Sequence, residues 1–303
     1  MPVQEQNPEP KNPLGMNGIE FIEFATSQPQ AFGAVLQSMG FMPIARHRSR
    51  EVMLYRQGSM NLIVNAHADA LPGMSAPGAT PTLSAVAFRV RDADYAWRRA
   101  LELGAWEMPT RASAMELNIP GIHGVGDSLL YFVDRYRDFT IYDVDFVALP
   151  GMDPHPSAIA DMHLFGIVQS IHDDRSADWI DFYTQLFGFS VLPGGRYFGI
   201  LPKGTLLEAP CHTFYLQLLE PPPGAEDVNW EERLLRIGLG TPDVPAAVRA
   251  LRQRGVVFVD RDPIQPSDKG ALTQISLGGV TFELVRSHLA AGASPTTGTS
   301  DEH

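Results

Sequence analysis

The sequence predicts an α+β fold with two domains, each built from two copies of a βαβββ unit. First, 303 residues are enough for about two domains of ordinary size. Second, a strand-like segment followed by an amphipathic helix pattern that ends at glycine occurs four times. Third, residues 148–161, rich in Pro, Ala and Gly, separate the second copy from the third. Because one unit exposes an apolar sheet face, two units per domain should curl together around a cleft.

The first two copies form the predicted N-terminal domain, over residues 12–147. In the first copy we expect a strand over 18–24 and a helix from Pro29 that stops at Gly40. Its remaining strands are predicted over 41–46, 52–57 and 61–65. In the second copy, the strand SAVAFRV leads into the helix pattern DADYAWRRALELG, which Gly104 terminates.

The third and fourth copies form the predicted C-terminal domain, over residues 162–288, which should contain the cleft. The third copy begins with LFGIVQSI, its helix stops at Gly188, and its last strand is HTFYLQLL. The fourth begins with LLRIGLG, uses Asp243 as helix cap and ends with VTFELVR. Residues 148–161 are the predicted linker, and the low-complexity end, 289–303, is predicted to be disordered.

Charge and composition narrow the classes of partner. A formal net charge of -12 disfavours binding to nucleic acid or to anionic lipid surfaces. No apolar window reaches the roughly 18 residues of a membrane span, and the first residues lack a signal core, so a cytoplasmic location is expected. The single Cys211 cannot form an internal disulfide.

Several segments resemble a known family. NPLGMNGIEFIEFAT, AFRVRDADYAWRRALELGA and ELNIPGIHGVGDSLLYFVDRY are similar to the first domain of bacterial 4-hydroxyphenylpyruvate dioxygenases. The resemblance continues more weakly through RSADWIDFYTQLFGF and GLGTPDVPAAVRALRQRGVVFV to VTFELVR. That family belongs to the vicinal-oxygen-chelate superfamily, which is glyoxalase- and bleomycin-resistance-like, so the resemblance implies two such domains. It also implies a possible homo-oligomer through the N-terminal domain.

The resemblance implies an Fe(II) site in the second domain, made by two histidines and one glutamate. The glutamate position falls on Glu283, the first histidine position on Gly166 and the second on Arg236. Glycine offers no ligand, and a guanidinium has no lone pair to donate. The triad is therefore degenerate and no metal is expected, although Fe(II) would be the cofactor if the family activity were retained.

The candidate ligand-binding residues are those that line the predicted cleft: Gly166, Gln217, Arg236 and Glu283. Repeat symmetry with Glu283 places Gln217 at the fourth cleft position. Two roles are open for Arg236, because it can pair with Glu283 where iron would lie, or capture a ligand carboxylate with help from Gln217.

Two other sets of residues have side chains suited to chemistry. His163 is a candidate recruited metal ligand, but it precedes Gly166 by three positions, and strand alternation directs it to the opposite face unless a bulge intervenes. Cys211 and His212 are adjacent on one predicted strand, so the same alternation separates them, and Cys211 is expected in the core.

Three functions remain open at this point. The first is a redirected protein that binds or transforms a small aromatic or 2-oxo carboxylic acid without iron, by a dioxygenase-, lyase- or isomerase-type reaction if it is catalytic. The second, implied by the resemblance, is an Fe(II) dioxygenase that converts 4-hydroxyphenylpyruvate to homogentisate in tyrosine catabolism. The third is a non-catalytic scaffold or regulator.

Overall fold

The computed structural model describes residues 11–67, 78–108, 117–194, 199–201, 204–222, 230–261 and 264–287. The elements of the first half are β1 (Ile19–Ala25), α1 (Pro29–Ser38), β2 (Met42–His47), β3 (Val52–Gln57), β4 (Met60–Asn65), β5 (Thr82–Arg89), α2 (Ala93–Glu102), β6 (Gly121–His123), β7 (Leu129–Val133), α3 (Ile141–Asp145) and β8 (Phe146–Ala148). The elements of the second half are β9 (His163–Ser170), α4 (Ser176–Phe187), β10 (Ser190–Val191), β11 (Thr205–Glu208), β12 (Tyr215–Leu219), β13 (Arg233–Thr241), α5 (Val244–Gln253), β14 (Gly270–Leu272) and β15 (Phe282–Arg286).

The strands form two mixed sheets, one from each half of the chain. The first has eight strands in the order β6-β7-β5-β1-β4-β3-β2-β8, and the second has seven in the order β10-β11-β12-β9-β13-β15-β14. In each sheet the opening strands of the two repeats are central, antiparallel neighbours: β1 with β5 and β9 with β13. This is the predicted α+β class with repeated strand–helix–strand units. Among the described residues, no helix is both long and apolar enough to cross a bilayer.

The four repeats differ in their edge strands. The first and third repeats carry three strands after the helix, as predicted. In the second and fourth repeats the first of those strands is reduced to an isolated bridge, Glu107–Ile122 in one and Phe258–Thr273 in the other. Only an edge strand is therefore shortened in the second and fourth repeats. The central strands of all four repeats are complete, and they form the face of each sheet.

The helix boundaries follow the signals in the sequence. Asp243 caps α5, and its carboxylate accepts a hydrogen bond of 2.8 Å from the Ala246 amide. Helix α4 ends at Gly188, whose φ of 79° is the left-handed conformation that glycine adopts at little cost. These local interactions explain why the helix ends were predictable.

The predicted linker, 148–161, is anchored along its length rather than loose. Ala148 still belongs to β8 and pairs with Ala45 of β2. The Gly58 amide donates to the Pro156 carbonyl at 2.8 Å, and the Ile159 amide donates to the Gln57 side chain at 3.0 Å. The segment thus packs against the first sheet. The predicted disordered tail, 289–303, lies outside the described residues.

The prediction that Cys211 and His212 share a strand is wrong. Strand β12 begins only at Tyr215, and both residues lie in the turn before it, with His212 at a φ of 57°. Cys211 is half-buried, and its sulfur lies 3.1 Å from the Thr213 hydroxyl. The alternation argument does not apply to a turn, and this cysteine is at the margin of the core rather than inside it.

The two halves share an aromatic contact. The fully buried Phe88 of β5 packs against Phe187 at 5.4 Å and against Phe214 at 5.8 Å, measured between ring centroids. Its neighbours belong to the second half, so one apolar cluster extends across both halves. This packing fixes the second sheet against the first.

A buried carboxyl lies on β1 in the first sheet. Glu23 is 8% exposed and accepts hydrogen bonds from Asn65 at 3.2 Å and from Ser84 at 3.1 Å. Burial raises the pKa of Glu23 from 4.5 to about 7, because desolvation penalises the charged form more than the two hydrogen bonds stabilise it. Folding is therefore coupled to proton uptake at this position.

We expect Glu23→Gln to reduce the pH dependence of stability. The folded state keeps the Glu23 proton up to a pKa of about 7, whereas the unfolded chain loses it near 4.5, so the free energy of unfolding should fall as pH rises between these values. The total fall should be at most about 3 kcal/mol. Urea denaturation from pH 4.5 to 8 should show a flatter profile for the variant. A profile as steep as the wild type, or one that Glu102→Gln at an exposed position flattens equally, would contradict this assignment.

Candidate functional site

The candidate site lies on one face of the four adjacent strands β12, β9, β13 and β15. Paired residues on neighbouring strands point to the same face, so the registers define rows across the sheet. One row contains, in spatial order, Tyr215, Gly166, Gly238 and Glu283. The next row along β9 contains Gln217, Val168 and Arg236. The four sequence candidates therefore lie on the same face in two consecutive rows.

Arg236 and Glu283 form a buried ion pair across β13 and β15. The Arg236 Nε donates to the Glu283 Oε2 at 3.2 Å, with the two side chains 11% and 3% exposed. The sequence left two roles open for Arg236, pairing with Glu283 or capture of a ligand carboxylate. The structure shows the pairing with Glu283. The pair neutralises a carboxylate that would be costly to bury alone.

The terminal nitrogens of Arg236 are not used by this contact. The bond to Glu283 is made through Nε, and the guanidinium donates to no other residue in the part of the chain that the structure describes. A guanidinium presents five N–H donors in a planar fork. The pairing with Glu283 therefore leaves donors for an anion, and the two proposed roles of Arg236 are compatible.

Gly166 and Gly238 face each other but differ in the space around them. A Cβ atom at Gly166 would lie 2.7 Å from the Tyr215 carbonyl oxygen, so any side chain there would require the backbone of β12 to move. A Cβ atom at Gly238 would find only ordinary contacts, the nearest at 3.6 Å. Gly166 thus offers no ligand atom, and the backbone of β12 leaves no room for one.

A cleft opens over this row. It is shallow, with a cavity volume of about 30 Å³, which is enough for a water-sized group. Its lining residues are mostly apolar and comprise Phe165, Gly166, Ile167, Val168, Leu206, Tyr215, Gln217, Gly238, Glu283 and Val285. Gln217 and Glu283 are the side chains that present amide or carboxylate groups to this space. Arg236 does not line it and lies beside it, in contact with Glu283.

His163 lies on the site face, because a bulge in β9 intervenes. Leu164 pairs with Leu239 and Gly166 pairs with Gly238, so Phe165 is an extra residue on β9. His163 consequently faces Gly240 on the same side as Gly166, and the expectation of the opposite face is wrong. The first repeat has the same irregularity in β1, where Ile19 and Phe21 pair with consecutive residues of β5. Both bulges are defined by cross-strand pairing, so sequence spacing alone could not indicate them.

The His163 ring is held by two hydrogen bonds. Nδ1 lies 3.2 Å from the Asp161 carbonyl, which can only accept, so Nδ1 carries the proton. Nε2 therefore accepts from the Ser287 hydroxyl at 3.0 Å. Burial lowers the pKa of His163, which favours the neutral ring. Both nitrogens are thus occupied by protein groups.

The residues of this face do not fit Fe(II). Glu283 supplies a carboxylate, but Gly166 supplies nothing and Arg236 supplies a positive charge. Within the described residues no group of three His, Cys, Asp or Glu side chains is arranged to hold a metal ion. Iron would also have to displace the Arg236 contact of Glu283. A mechanism through iron is therefore not supported by the side chains of this face.

Comparisons with known proteins agree with the fold and the resemblance. Residues 10–147 match the family model described as "Hydroxyphenylpyruvate dioxygenase, HPPD, N-terminal". A 4-hydroxyphenylpyruvate dioxygenase of Pseudomonas sp. (strain P.J. 874) is 39% identical over 204 residues, which cover 67% of this chain and 56% of that protein. The chain thus aligns with little more than half the length of that relative. Another from Pseudomonas aeruginosa is 33% identical over 268 residues, covering 83% of this chain and 73% of that protein.

Solved structures support the same architecture. A mutant of 4-hydroxymandelate synthase from Streptomyces coelicolor superposes with a TM-score of 0.66 over 92% of this chain and 95% of that one, at 17% identity. That likeness concerns the fold alone. Together with the relative from Pseudomonas aeruginosa, it agrees with two vicinal-oxygen-chelate units. The chain belongs to the 4-hydroxyphenylpyruvate dioxygenase family.

Proposed function

We propose that this chain binds a small aromatic or 2-oxo carboxylic acid at the cleft of its second sheet, without the iron triad of its family. The observation that carries the proposal is Arg236, a largely buried guanidinium at the position where the resemblance implies a metal-binding histidine. Its Nε neutralises Glu283, and its terminal nitrogens donate to none of the described residues. The site therefore contains a permanent cation of its own beside the cleft, with donors that no described residue uses.

The rest of the face supports an acid as ligand. A guanidinium binds carboxylates through two parallel hydrogen bonds, which are stronger than neutral ones. Gln217 lies in the same row as Arg236, separated from it by Val168, and its amide can donate or accept. The apolar lining provides contact area for a ring or a short chain. If the chain also transforms the bound acid, the reaction is of the dioxygenase, lyase or isomerase type.

A second candidate is the activity that the relatives' names give: conversion of 4-hydroxyphenylpyruvate by an Fe(II) dioxygenase. Family membership favours it. In this chain the ligands would have to be Glu283 and recruited residues such as His163. Each is already engaged, Glu283 by Arg236 and His163 by Ser287 and Asp161. Iron binding would require both contacts to break, which is why we rank this candidate second.

Metal analysis of protein purified without oxygen distinguishes the two. We expect less than about 0.1 iron atom per chain after incubation with Fe(II) and desalting, because two of three ligand positions lack a donor. Oxygen uptake with 4-hydroxyphenylpyruvate should equal that of a blank. Stoichiometric iron together with oxygen uptake would overturn the proposal in favour of the dioxygenase.

Ligand binding is tested by thermal shift with a panel of aromatic and 2-oxo acids. A ligand that binds the folded state raises the melting temperature, and we expect such a rise for the wild type. Arg236→Lys keeps the positive charge beside Glu283 but removes the planar fork, so it should lose most of the shift. Gln217→Glu should also weaken acid binding by adding a like charge. No shift with any acid would favour the third possibility, a scaffold or regulatory protein.

A further inference from the structure

We infer that a cavity at one end of the first sheet is a binding site for a free α-amino acid with an apolar side chain. The cavity lies between the start of α2, the end of β7 and the segment that enters β6. It shares no lining residue with the cleft of the second sheet. The inference therefore goes beyond the proposed function and does not depend on it.

The cavity is large enough for a small molecule. Its volume is about 310 Å³. Protein interiors are otherwise closely packed and contain few voids larger than a water molecule. Binding sites for small molecules usually have volumes of about 300–1,000 Å³. The space is therefore at the lower end of that range, which suits a compact ligand such as a single amino acid.

Hydrogen-bonded backbone forms two sides of the cavity. The Met108 amide donates to the Gly121 carbonyl at 3.2 Å, which extends the first sheet beyond β6. On the opposite side, the Ala93 amide at the start of α2 donates to the Asp134 carboxylate at 3.1 Å. That contact fixes the first turn of the helix against the end of β7. The lining residues are thus held in place by the fold without a ligand.

Four of the described lining residues are charged: Asp94, Glu107, Asp134 and Arg135. Two of them are already engaged, because Asp94 pairs with Arg98 at 2.6 Å and Asp134 holds the first turn of α2. Glu107 and Arg135 are exposed, and their side chains form no hydrogen bond or ion pair with any described residue. Among the described lining residues, one carboxylate and one guanidinium are therefore available to a ligand.

An anion and a cation that line the same space are complementary to a zwitterion. A guanidinium binds a carboxylate through two parallel hydrogen bonds, and a carboxylate accepts hydrogen bonds from an ammonium group. An α-amino acid has both ionised groups on one carbon at neutral pH. Its carboxylate would bind Arg135 and its ammonium group would bind Glu107. A simple acid or a simple amine would satisfy only one of the two.

The apolar part of the lining indicates the side chain of this amino acid. Trp97 of α2 and Phe132 of β7 line the cavity together with Leu117, Ile119 and Ile141. Phe132 is fully buried and Trp97 packs against the core, so both lie deeper than the exposed charged residues. An apolar side chain would gain from contact with these groups, whereas a polar one would lose its hydrogen bonds to water. The lining therefore favours an amino acid such as leucine, methionine or phenylalanine.

Calorimetry on the full chain tests the inference with L-leucine, L-methionine and L-phenylalanine as probes. The tightest of the three is then compared with its D-enantiomer, with the acid that lacks the amino group and with the amine that lacks the carboxylate. We expect the acid and the amine to bind about fivefold more weakly, because each loses an ion pair with an exposed side chain. The D-enantiomer should also bind more weakly, since it cannot place both charges and the side chain at once.

Matched variants locate the bound amino acid. Arg135→Gln and Glu107→Gln should each weaken binding about fivefold. Arg137→Gln and Glu102→Gln, at exposed positions that do not line the cavity, should leave the affinity unchanged. All four positions are exposed, so the melting temperature of each variant without ligand should stay near that of the wild type.

Three results would overturn the inference. The first is the absence of binding heat with all three amino acids. The second is equal affinity for the amino acid, the acid and the amine. The third is a loss of affinity in the control variants as large as that in Arg135→Gln and Glu107→Gln. Arg236→Lys, which tests the acid site of the second sheet, should leave amino-acid binding unchanged, so the failure of one site is distinguishable from the failure of the other.

Discussion

Replacing Gly126 by alanine is expected to lower the free energy of unfolding by about 2 to 5 kcal/mol, through left-handed strain of about 1–2 kcal/mol and overpacking of about 1–3 kcal/mol. Gly126 has a φ of 55° and lies against the second half, where a Cβ atom would be 1.7 Å from the Glu232 carbonyl oxygen. That atom is backbone at the entrance to β13, so it cannot move aside as a flexible side chain would. At this contact, therefore, the first half of the chain packs against the start of β13, the strand that contains Arg236.

Gly151→Ala is the matched control. Gly151 also has a positive φ, 75°, but a Cβ atom there would have no neighbour within 4 Å. Its substitution should cost only the strain, about 1–2 kcal/mol. Urea denaturation of both variants measures the difference. Equal losses for Gly126→Ala and Gly151→Ala would show that the contact with Glu232 does not constrain the two halves.

Arg236→Leu should lower the free energy of unfolding by about 3–5 kcal/mol, because it leaves the Glu283 carboxylate buried without its cation. Glu283 is 3% exposed, so solvent cannot replace the guanidinium without a local opening of the sheet. The double variant Arg236→Leu/Glu283→Leu removes both charges and should return to within about 1 kcal/mol of the wild type. Chemical denaturation of the wild type, both single variants and the double variant gives the coupling energy.

The double-mutant cycle also bears on the assignment of the ion pair. A large coupling energy is expected for two groups in direct contact within a low-dielectric site. If Arg236→Leu costs less than about 1 kcal/mol and the cycle shows no coupling, the pair is screened by water and Glu283 is not dependent on Arg236. In that case the guanidinium would not be what stabilises the buried carboxylate.

A metal site and the face that contains Arg236 and Glu283 differ in the kind of cation. A metal ion is exchangeable and needs lone pairs from three side chains, whereas the guanidinium of Arg236 is covalently attached and needs only an acceptor. Restoring histidine at Arg236 alone would leave Gly166 without a ligand. Adding a side chain at Gly166 would bring its Cβ within 2.7 Å of the Tyr215 carbonyl. The present packing thus opposes a histidine at Gly166.

The sequence by itself determined the features that depend on local interactions. Helix ends were predictable because they depend on neighbouring backbone groups. The Asp243 carboxylate accepts from a backbone amide in the first turn of α5, and Gly188 ends α4 in the left-handed conformation. The repeat pattern indicated two domains of two βαβββ units each, since apolar periodicity reports which face of each element is buried. The contact of Arg236 with Glu283 was predictable as one of two alternatives, because a buried arginine requires an anion.

Only the tertiary structure decided how residues distant in the sequence face one another. The extra residue Phe165 in β9 becomes visible only when β9 is paired with β13, and it moves His163 to the site face beside Gly240. The same pairing places Gly238 opposite Gly166. Strand register depends on cross-strand contacts between residues about 70 positions apart, and a one-residue shift reverses every side chain. Spacing along one strand contains no information about such a shift. The residues that share this face could therefore be identified only from the folded chain.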